Sequence, residues 1–189
     1  MPFNLPILLT WLRVALIPVF VGLYYLPADM PPILIKNLIG TVIFAVAALT
    51  DWFDGYLARK WNQVSSFGAF LDPVADKLMV AAALILLVEI DRAPAWLAVI
   101  IIGREITISA LREWMAQLGK IKSVAVATIG KFKTAAQMVA ILFLLWDEPL
   151  IPGLSTRLIG TIALYVAGVL TIVSMFYYLR VAAQQFREN

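Results

Sequence analysis

Asp51-Trp-Phe-Asp54-Gly55-Tyr-Leu-Ala58-Arg59 closes one apolar run, and eight residues later Gly68-Ala-Phe-Leu-Asp72-Pro-Val-Ala-Asp76 opens the next. The carboxylates stand three apart in the first pair and four apart in the second. On a helix, either spacing puts both side chains on one face. The segment between the pairs is short, so the two helices are antiparallel neighbours and the two faces can meet. A carboxylate in membrane-grade sequence is costly and marks a functional site by default. Four of them side by side cannot all ionise without a cation between them. The stretch therefore points to a helical membrane protein with a divalent-cation site at two adjacent helix ends, suited to phosphate chemistry.

Composition supports this reading and narrows the cation. The chain has 189 residues, is 62% hydrophobic and has a mean hydropathy of +0.91. A soluble domain is usually about 45–50% apolar. One membrane domain spanning 1–189 is expected. The chain contains neither cysteine nor histidine. That excludes disulfides, thiolate metal sites, histidine zinc sites and histidine general bases. Any metal must be a hard cation on oxygen ligands, namely Mg²⁺, Mn²⁺ or Ca²⁺. The net charge is only +3, and no nucleic-acid partner is expected.

Six apolar runs are long enough to span a bilayer, near 5–27, 34–60, 71–90, 94–117, 129–147 and 156–180. Pro, Gly and polar clusters separate them, for example Pro27-Ala-Asp29-Met-Pro31-Pro32 and Asp91-Arg92-Ala-Pro94. The fold class expected is all-α, a six-helix polytopic membrane protein. The first run is too long for a signal-peptide core and lacks a small-residue cleavage site, so it reads as a retained helix. Of 15 Lys and Arg residues, twelve fall on the side that holds both termini and the loops near 62 and 120; only Lys36, Arg92 and Arg157 fall on the other. Both termini and the aspartates are thereby expected in the cytoplasm. Trp96, Trp146, Tyr24 and Tyr25 mark the opposite boundary. Asp51 lies nine residues before Lys60, about 13 Å along a helix. The site would be sunk below the headgroups and open to the cytoplasm.

The small residues of the stretch gain a purpose in this setting. Gly55 and Gly68 clear space where a ligand approaches the backbone. Ala58 is small one turn after Asp54, and Arg59 can clamp a phosphate or pair with an aspartate. Singly, each feature has an ordinary explanation: an intramembrane aspartate can be a structural hydrogen-bonding residue, and Arg59 and Lys60 can be flankers of a span. Two ordered pairs with spaced glycines are not explained that way.

The pattern D-x2-D-G-x2-A-R-x8-G-x3-D-x3-D is the signature of the CDP-alcohol phosphatidyltransferases, and this chain resembles that family at every fixed position from Asp51 to Asp76. Six spans with both ends inside also suit the family. Three flanks resemble the branch that makes phosphatidylglycerol phosphate from CDP-diacylglycerol and sn-glycerol 3-phosphate with release of CMP. They begin at Asn4-Leu-Pro-Ile-Leu-Leu-Thr10-Trp-Leu-Arg13, Gly103-Arg104-Glu105 and Gly130-Lys131-Phe-Lys133-Thr134. The resemblance implies that Asp51, Asp54, Asp72 and Asp76 hold Mg²⁺ or Mn²⁺. Asp76 would also take the proton of the acceptor hydroxyl. Gly55, Ala58, Arg59 and Gly68 would line the CDP-diacylglycerol pocket, approached by Asn4, Thr10 and Arg13 from the first helix. It further implies a homodimer in the cytoplasmic (inner) membrane of a bacterium, with its active site facing the cytoplasm and surrounded by membrane lipid.

Glycerol phosphate is a dianion, so its pocket needs fixed cations or helix N-terminal amides. Arg104, Arg112 and Lys131 are the expected set. Arg104 and Arg112 are eight apart, about 80° around a helix, and can lean into one groove. Lys120 and Lys122 read as topology and anionic-lipid residues, and Lys133 stands between the two readings. Glu105 is expected to orient an arginine, and Ser109 to bond back to its own helix. Serine, an inositol phosphate or phosphatidylglycerol are alternative acceptors. A six-span cation transporter would place its carboxylates near the midplane, often with histidine. A membrane prenyltransferase would need a longer chain and a second aspartate motif.

Overall fold

The computed structural model describes residues 5–27, 30–61, 66–117, 128–150 and 153–187. Among them are six helices: α1 (Leu5–Tyr25), α2 (Ile33–Trp61), α3 (Ser66–Glu89), α4 (Ala95–Gln117), α5 (Thr128–Trp146) and α6 (Thr156–Arg187). There is no β-sheet among the described residues. The expected all-α, six-helix architecture is thus observed. Two boundaries differ from the sequence reading. α3 begins at Ser66 rather than near 71, which places Gly68 inside the helix, and Pro73 lies in its interior rather than its first turn. A proline there has no N–H to give to the carbonyl of residue 69, so the α3 hydrogen-bond ladder is broken just beside Asp72. α6 runs on past residue 180, to Arg187.

Three helices have a segment long and apolar enough to cross a membrane: Leu8–Tyr25, Ile33–Asp51 and Thr156–Arg180; α5 carries a shorter one, Phe132–Trp146. α3 and α4 fall short for a local reason. Asp72, Asp76 and Lys77 interrupt α3, and Arg104, Glu105 and Arg112 interrupt α4. The helices that miss the mark are the ones that bring charge to the site. α2 has 29 residues, about 43 Å of helix against a hydrocarbon core of about 30 Å. Its last turns, with Asp54 to Arg59, therefore extend beyond its apolar segment.

Helix packing places α1 against α2 and α3, α4 against α3 and α6, and α5 against α2 and α6. One apolar cluster joins them through Phe20, Phe44, Leu84, Leu97, Ile141 and Leu144. α5 and α6 approach closely at Gly160, where a Cβ would lie 2.7 Å from Leu144 Cγ and 3.1 Å from its backbone nitrogen. A larger residue there would force the two helices apart.

The end of the bundle away from the aspartates is tied by backbone carbonyls. α3 stops in a Schellman turn: Arg92 N–H donates to Leu87 O at 2.8 Å, Asp91 N–H donates to Val88 O at 3.1 Å, and Asp91 has φ +61°. Arg92 then caps the C-terminus of α5. Its Nη1 donates to Leu144 O at 3.1 Å and Leu145 O at 3.0 Å, and its Nε pairs with Asp147 at 3.1 Å. Burial lowers the Arg92 pKa from its ordinary value, and Asp147 opposes that shift. Buried Lys36 caps α1 in the same way, donating to Leu26 O at 2.6 Å and Pro27 O at 3.2 Å. The three basic residues expected on this side are Lys36, Arg92 and Arg157; Arg157 donates to Asp91 O at 2.6 Å. They are thus absorbed in closing loops.

Candidate active site

A cavity of about 510 Å³ opens between α2, α3 and α4. Asp51 of α2 and Asp72 and Asp76 of α3 line one part of it. Arg104, Glu105 and Arg112 of α4 line another. Asp51, Asp72 and Asp76 and the two arginines, 28 to 61 residues apart in sequence, share this one space because α3 packs on both α2 and α4.

The aspartates are held from α1. Arg13 is 1% exposed, and its Nη1 lies 2.9 Å from Asp51 Oδ1. A guanidinium so deeply buried needs counter-charge, and Asp51 supplies it. Thr10, fully buried one turn before Arg13, donates its hydroxyl to Asp72 Oδ1. Thr10 and Arg13 are three apart and so share a face of α1. The sequence reading sent both toward the nucleotide; in the structure their described contacts are to the two aspartates.

The α4 wall is a network of charge. Arg104 Nη1 pairs with Glu105 at 3.3 Å, and Nη2 donates to Ser174 Oγ of α6 at 3.0 Å. Glu105 also takes an ion pair from Lys133 of α5, a side chain only 4% exposed. Arg112 is exposed, and its Nη2 donates to Tyr178 Oη at 2.7 Å. Ser109 bonds back to Glu105 O at 2.7 Å, as its helical position leads one to expect. Glu105 thus orients an arginine, as expected, and a lysine besides.

Several expected site residues lie outside the described ones. Asn4 is among them; Lys120 and Lys122, read as topology residues, also lie outside the described ones. Asp54, Gly55, Ala58 and Arg59 are on α2 and Lys131 is on α5, but their side chains are not described. Gly68 is buried on α3. Lys133, Ser174 and Tyr178 are additions that the sequence reading did not assign to the site. Lys133 stands four residues before buried Gln137, a polar pair at helical spacing that is a weak signal beside the ordinary topology role of a lysine near a helix end. Thr171, Ser174 and Tyr178 share a helix face, but α6 also carries other hydroxyl and charged residues, so their spacing is a weak signal.

Among the described residues no three acidic groups converge on one point; the Asp54 side chain is not among them. The chemistry nonetheless fits a hard cation. Every candidate ligand is a carboxylate oxygen, and Asp51 and Asp72 are each oriented by a donor of α1, as ligating carboxylates are by their supporting shell.

Known proteins resemble this chain along nearly its whole length. The model of the CDP-alcohol phosphatidyltransferase family matches residues 3–173. A protein of Pectobacterium atrosepticum named CDP-diacylglycerol--glycerol-3-phosphate 3-phosphatidyltransferase is 54% identical, over 100% of both chains. Proteins of the same name are 52% identical in Haemophilus influenzae, over 100% of this chain and 98% of the other, and 53% identical in Shigella flexneri, over 96% of each. With the family pattern at its fixed positions, the match along nearly the whole length and three of its aspartates around one cavity, this chain belongs to the CDP-alcohol phosphatidyltransferase family.

Proposed function

We propose that this chain is a CDP-diacylglycerol--glycerol-3-phosphate 3-phosphatidyltransferase of phospholipid biosynthesis. It moves the phosphatidyl group of CDP-diacylglycerol to sn-glycerol 3-phosphate, giving phosphatidylglycerol phosphate and CMP. The observation that carries this reading is one cavity lined by three family aspartates and by two arginines able to hold a dianionic acceptor.

The family in general depends on a divalent metal. Asp51, Asp54, Asp72 and Asp76 would hold it, as Mg²⁺ or Mn²⁺, and when bound it would neutralise pyrophosphate charge and polarise the phosphorus. The chain's own residues do the rest. Arg13 and Thr10 keep Asp51 and Asp72 turned into the cavity. Asp76 takes the proton of the acceptor hydroxyl as that oxygen bonds to the phosphorus bearing diacylglycerol. The bond from this phosphorus to the bridging oxygen breaks, and CMP leaves with the electron pair. Arg104, Arg112 and Lys131 hold the acceptor phosphate, so that positioning and charge supply most of the rate. Asn4, Gly55, Ala58, Arg59 and Gly68 form the nucleotide side. The chain acts as one domain and as a homodimer in the bacterial inner membrane, with both termini and the cavity on the cytoplasmic face. There the acyl chains stay in lipid while the soluble acceptor enters from water.

The test is CMP release from CDP-diacylglycerol, with each acceptor offered in turn. Release is expected with sn-glycerol 3-phosphate and not with serine, an inositol phosphate, phosphatidylglycerol or unphosphorylated glycerol. Arg104→Lys is expected to raise the acceptor KM about 10- to 100-fold, the worth of one hydrogen bond between charged groups. Lysine cannot reproduce the fork of a guanidinium. Equal turnover of glycerol and glycerol phosphate would sink the assignment of the acceptor.

A further inference from the structure

Among the described residues, α6 brings no charged side chain to the cavity lining, yet it has a buried polar stripe on the side facing α4. Thr171, Ser174 and Tyr178 are 0%, 1% and 2% exposed. Their spacings of three and four put them on one helix face. Ser174 Oγ accepts from Arg104 Nη2 at 3.0 Å and donates to Thr171 O at 2.9 Å. Tyr178 meets both arginines of α4 at once. Its ring centroid is 5.3 Å from the Arg104 guanidinium carbon and 5.0 Å from that of Arg112, while its hydroxyl accepts from Arg112 Nη2 at 2.7 Å.

Arg104 is buried and Arg112 exposed, and their like charges repel each other across the short distance that Tyr178 bridges. A single aromatic ring shared by both guanidinium groups offers each an attractive electron-rich surface. Arg104 is fixed at three points: Glu105, Ser174 and the ring. Arg112 is exposed; its described polar partner is the Tyr178 hydroxyl. Without that tyrosine the long Arg112 side chain would be free to swing into water and away from its neighbour. Arrangement of a pair of forks around one phosphate loses most when one fork is no longer pre-set.

We propose that Tyr178 is a positioning residue that sets Arg104 and Arg112 as a fixed pair for the phosphate of the acceptor. The proposal rests on the phosphatidyltransferase reading above and deepens its acceptor side. Tyr178 does not touch substrate. It acts through the two arginines, with its ring ordering both and its hydroxyl ordering Arg112.

The test is steady-state kinetics of purified wild type, Tyr178→Phe and Tyr178→Leu, with both substrates varied and with Tm followed in detergent. Tyr178→Phe keeps the ring and loses the hydroxyl, and its acceptor KM is expected to rise about 3- to 10-fold, one hydrogen bond to a charged group reduced by partial solvation. Tyr178→Leu loses both, and a rise of about 30-fold or more is expected. The KM for CDP-diacylglycerol and kcat should stay within about 2-fold of wild type, a split that a merely structural role does not produce. If Tyr178→Leu does not fold, Tyr178→Phe alone decides. A rise confined to Tyr178→Leu assigns the positioning to the ring. An unchanged acceptor KM in Tyr178→Phe and Tyr178→Leu, or an equal rise for both substrates, overturns the proposal. Failure of the wild type to release CMP with glycerol phosphate is a separate result: it removes the enzymatic reading on which the proposal stands.

Discussion

Asp76→Asn is expected to lower turnover by about 10²–10⁴-fold, the usual contribution of a positioned general base, while binding of CDP-diacylglycerol stays close to that of wild type. Asp76 is half-buried on α3, one turn after Asp72, and lines the cavity on whose other side the arginines stand. Asparagine has the same shape and keeps a hydrogen-bonding oxygen, so the wall of the cavity is preserved. It cannot take up a proton. The loss should therefore appear in kcat, with the KM for CDP-diacylglycerol little changed and the acceptor still bound by Arg104 and Arg112. Binding of the nucleotide lipid by the inactive variant can be measured directly, because no turnover depletes it. If Asp76→Asn loses nucleotide-lipid binding as badly as Asp51→Asn does, Asp76 serves mainly as a ligand and the proton goes elsewhere.

The lengths of the apolar runs were enough to locate all six helices, because backbone groups in lipid must bond within their own segment. The misjudged start of α3 has a local cause. Pro73 reads as a first-turn proline, and first-turn prolines open helices, whereas the helix already runs from Ser66, where Ser65 and Ser66 are ordinary N-cap residue types. Asp51, Asp72 and Asp76 were legible because carboxylates in an apolar setting are rare and their spacing matches a helix face. Arg104 and Arg112 were legible as cations in need of an anion. What those groups touch was not legible. That Arg13 meets Asp51 across 38 residues, or Arg112 meets Tyr178 across 66, depends on which helices pack together. Hydroxyl residues such as Thr171, Ser174 and Tyr178 give little warning of a site, since serine and threonine in apolar helices commonly bond to their own backbone. Lys133 was hidden for the opposite reason: a lysine near a helix end is ordinarily a topology signal, and only the packing of α5 makes it a buried partner of Glu105.

Asp51→Asn and Asp72→Asn should both be inactive, yet differ in stability. Each removes a negative charge from the carboxylate set, and stripping divalent ions with EDTA should abolish the wild-type activity in the same way, with Mg²⁺ or Mn²⁺ restoring it. The stability effects separate because the two carboxylates have different neighbours. Asp51 faces a guanidinium that is 1% exposed at 2.9 Å. Neutralising it weakens a charge-assisted bond to a buried cation, and Asp51→Asn should lose about 1.5–3 kcal/mol, lessened somewhat because the Asp51 side is open to water. Asp72 instead accepts from the neutral Thr10 hydroxyl. The amide oxygen of asparagine can still accept that bond, though without the help of a charge, so Asp72→Asn leaves no polar group orphaned and should lose no more than about 1 kcal/mol, less than Asp51→Asn. Combining Arg13→Met with Asp51→Asn should recover part of the stability without any activity, since removing both charges of a buried pair costs less than removing one. Thermal unfolding in detergent, run beside the CMP-release assay, makes the comparison. Equal destabilisation by Asp51→Asn and Asp72→Asn would mean that the Arg13 pairing is not what holds Asp51 in the cavity. Full activity after exhaustive removal of divalent ions would leave the four aspartates without the cation that their crowding calls for, and Arg13 would have to be their principal counter-charge.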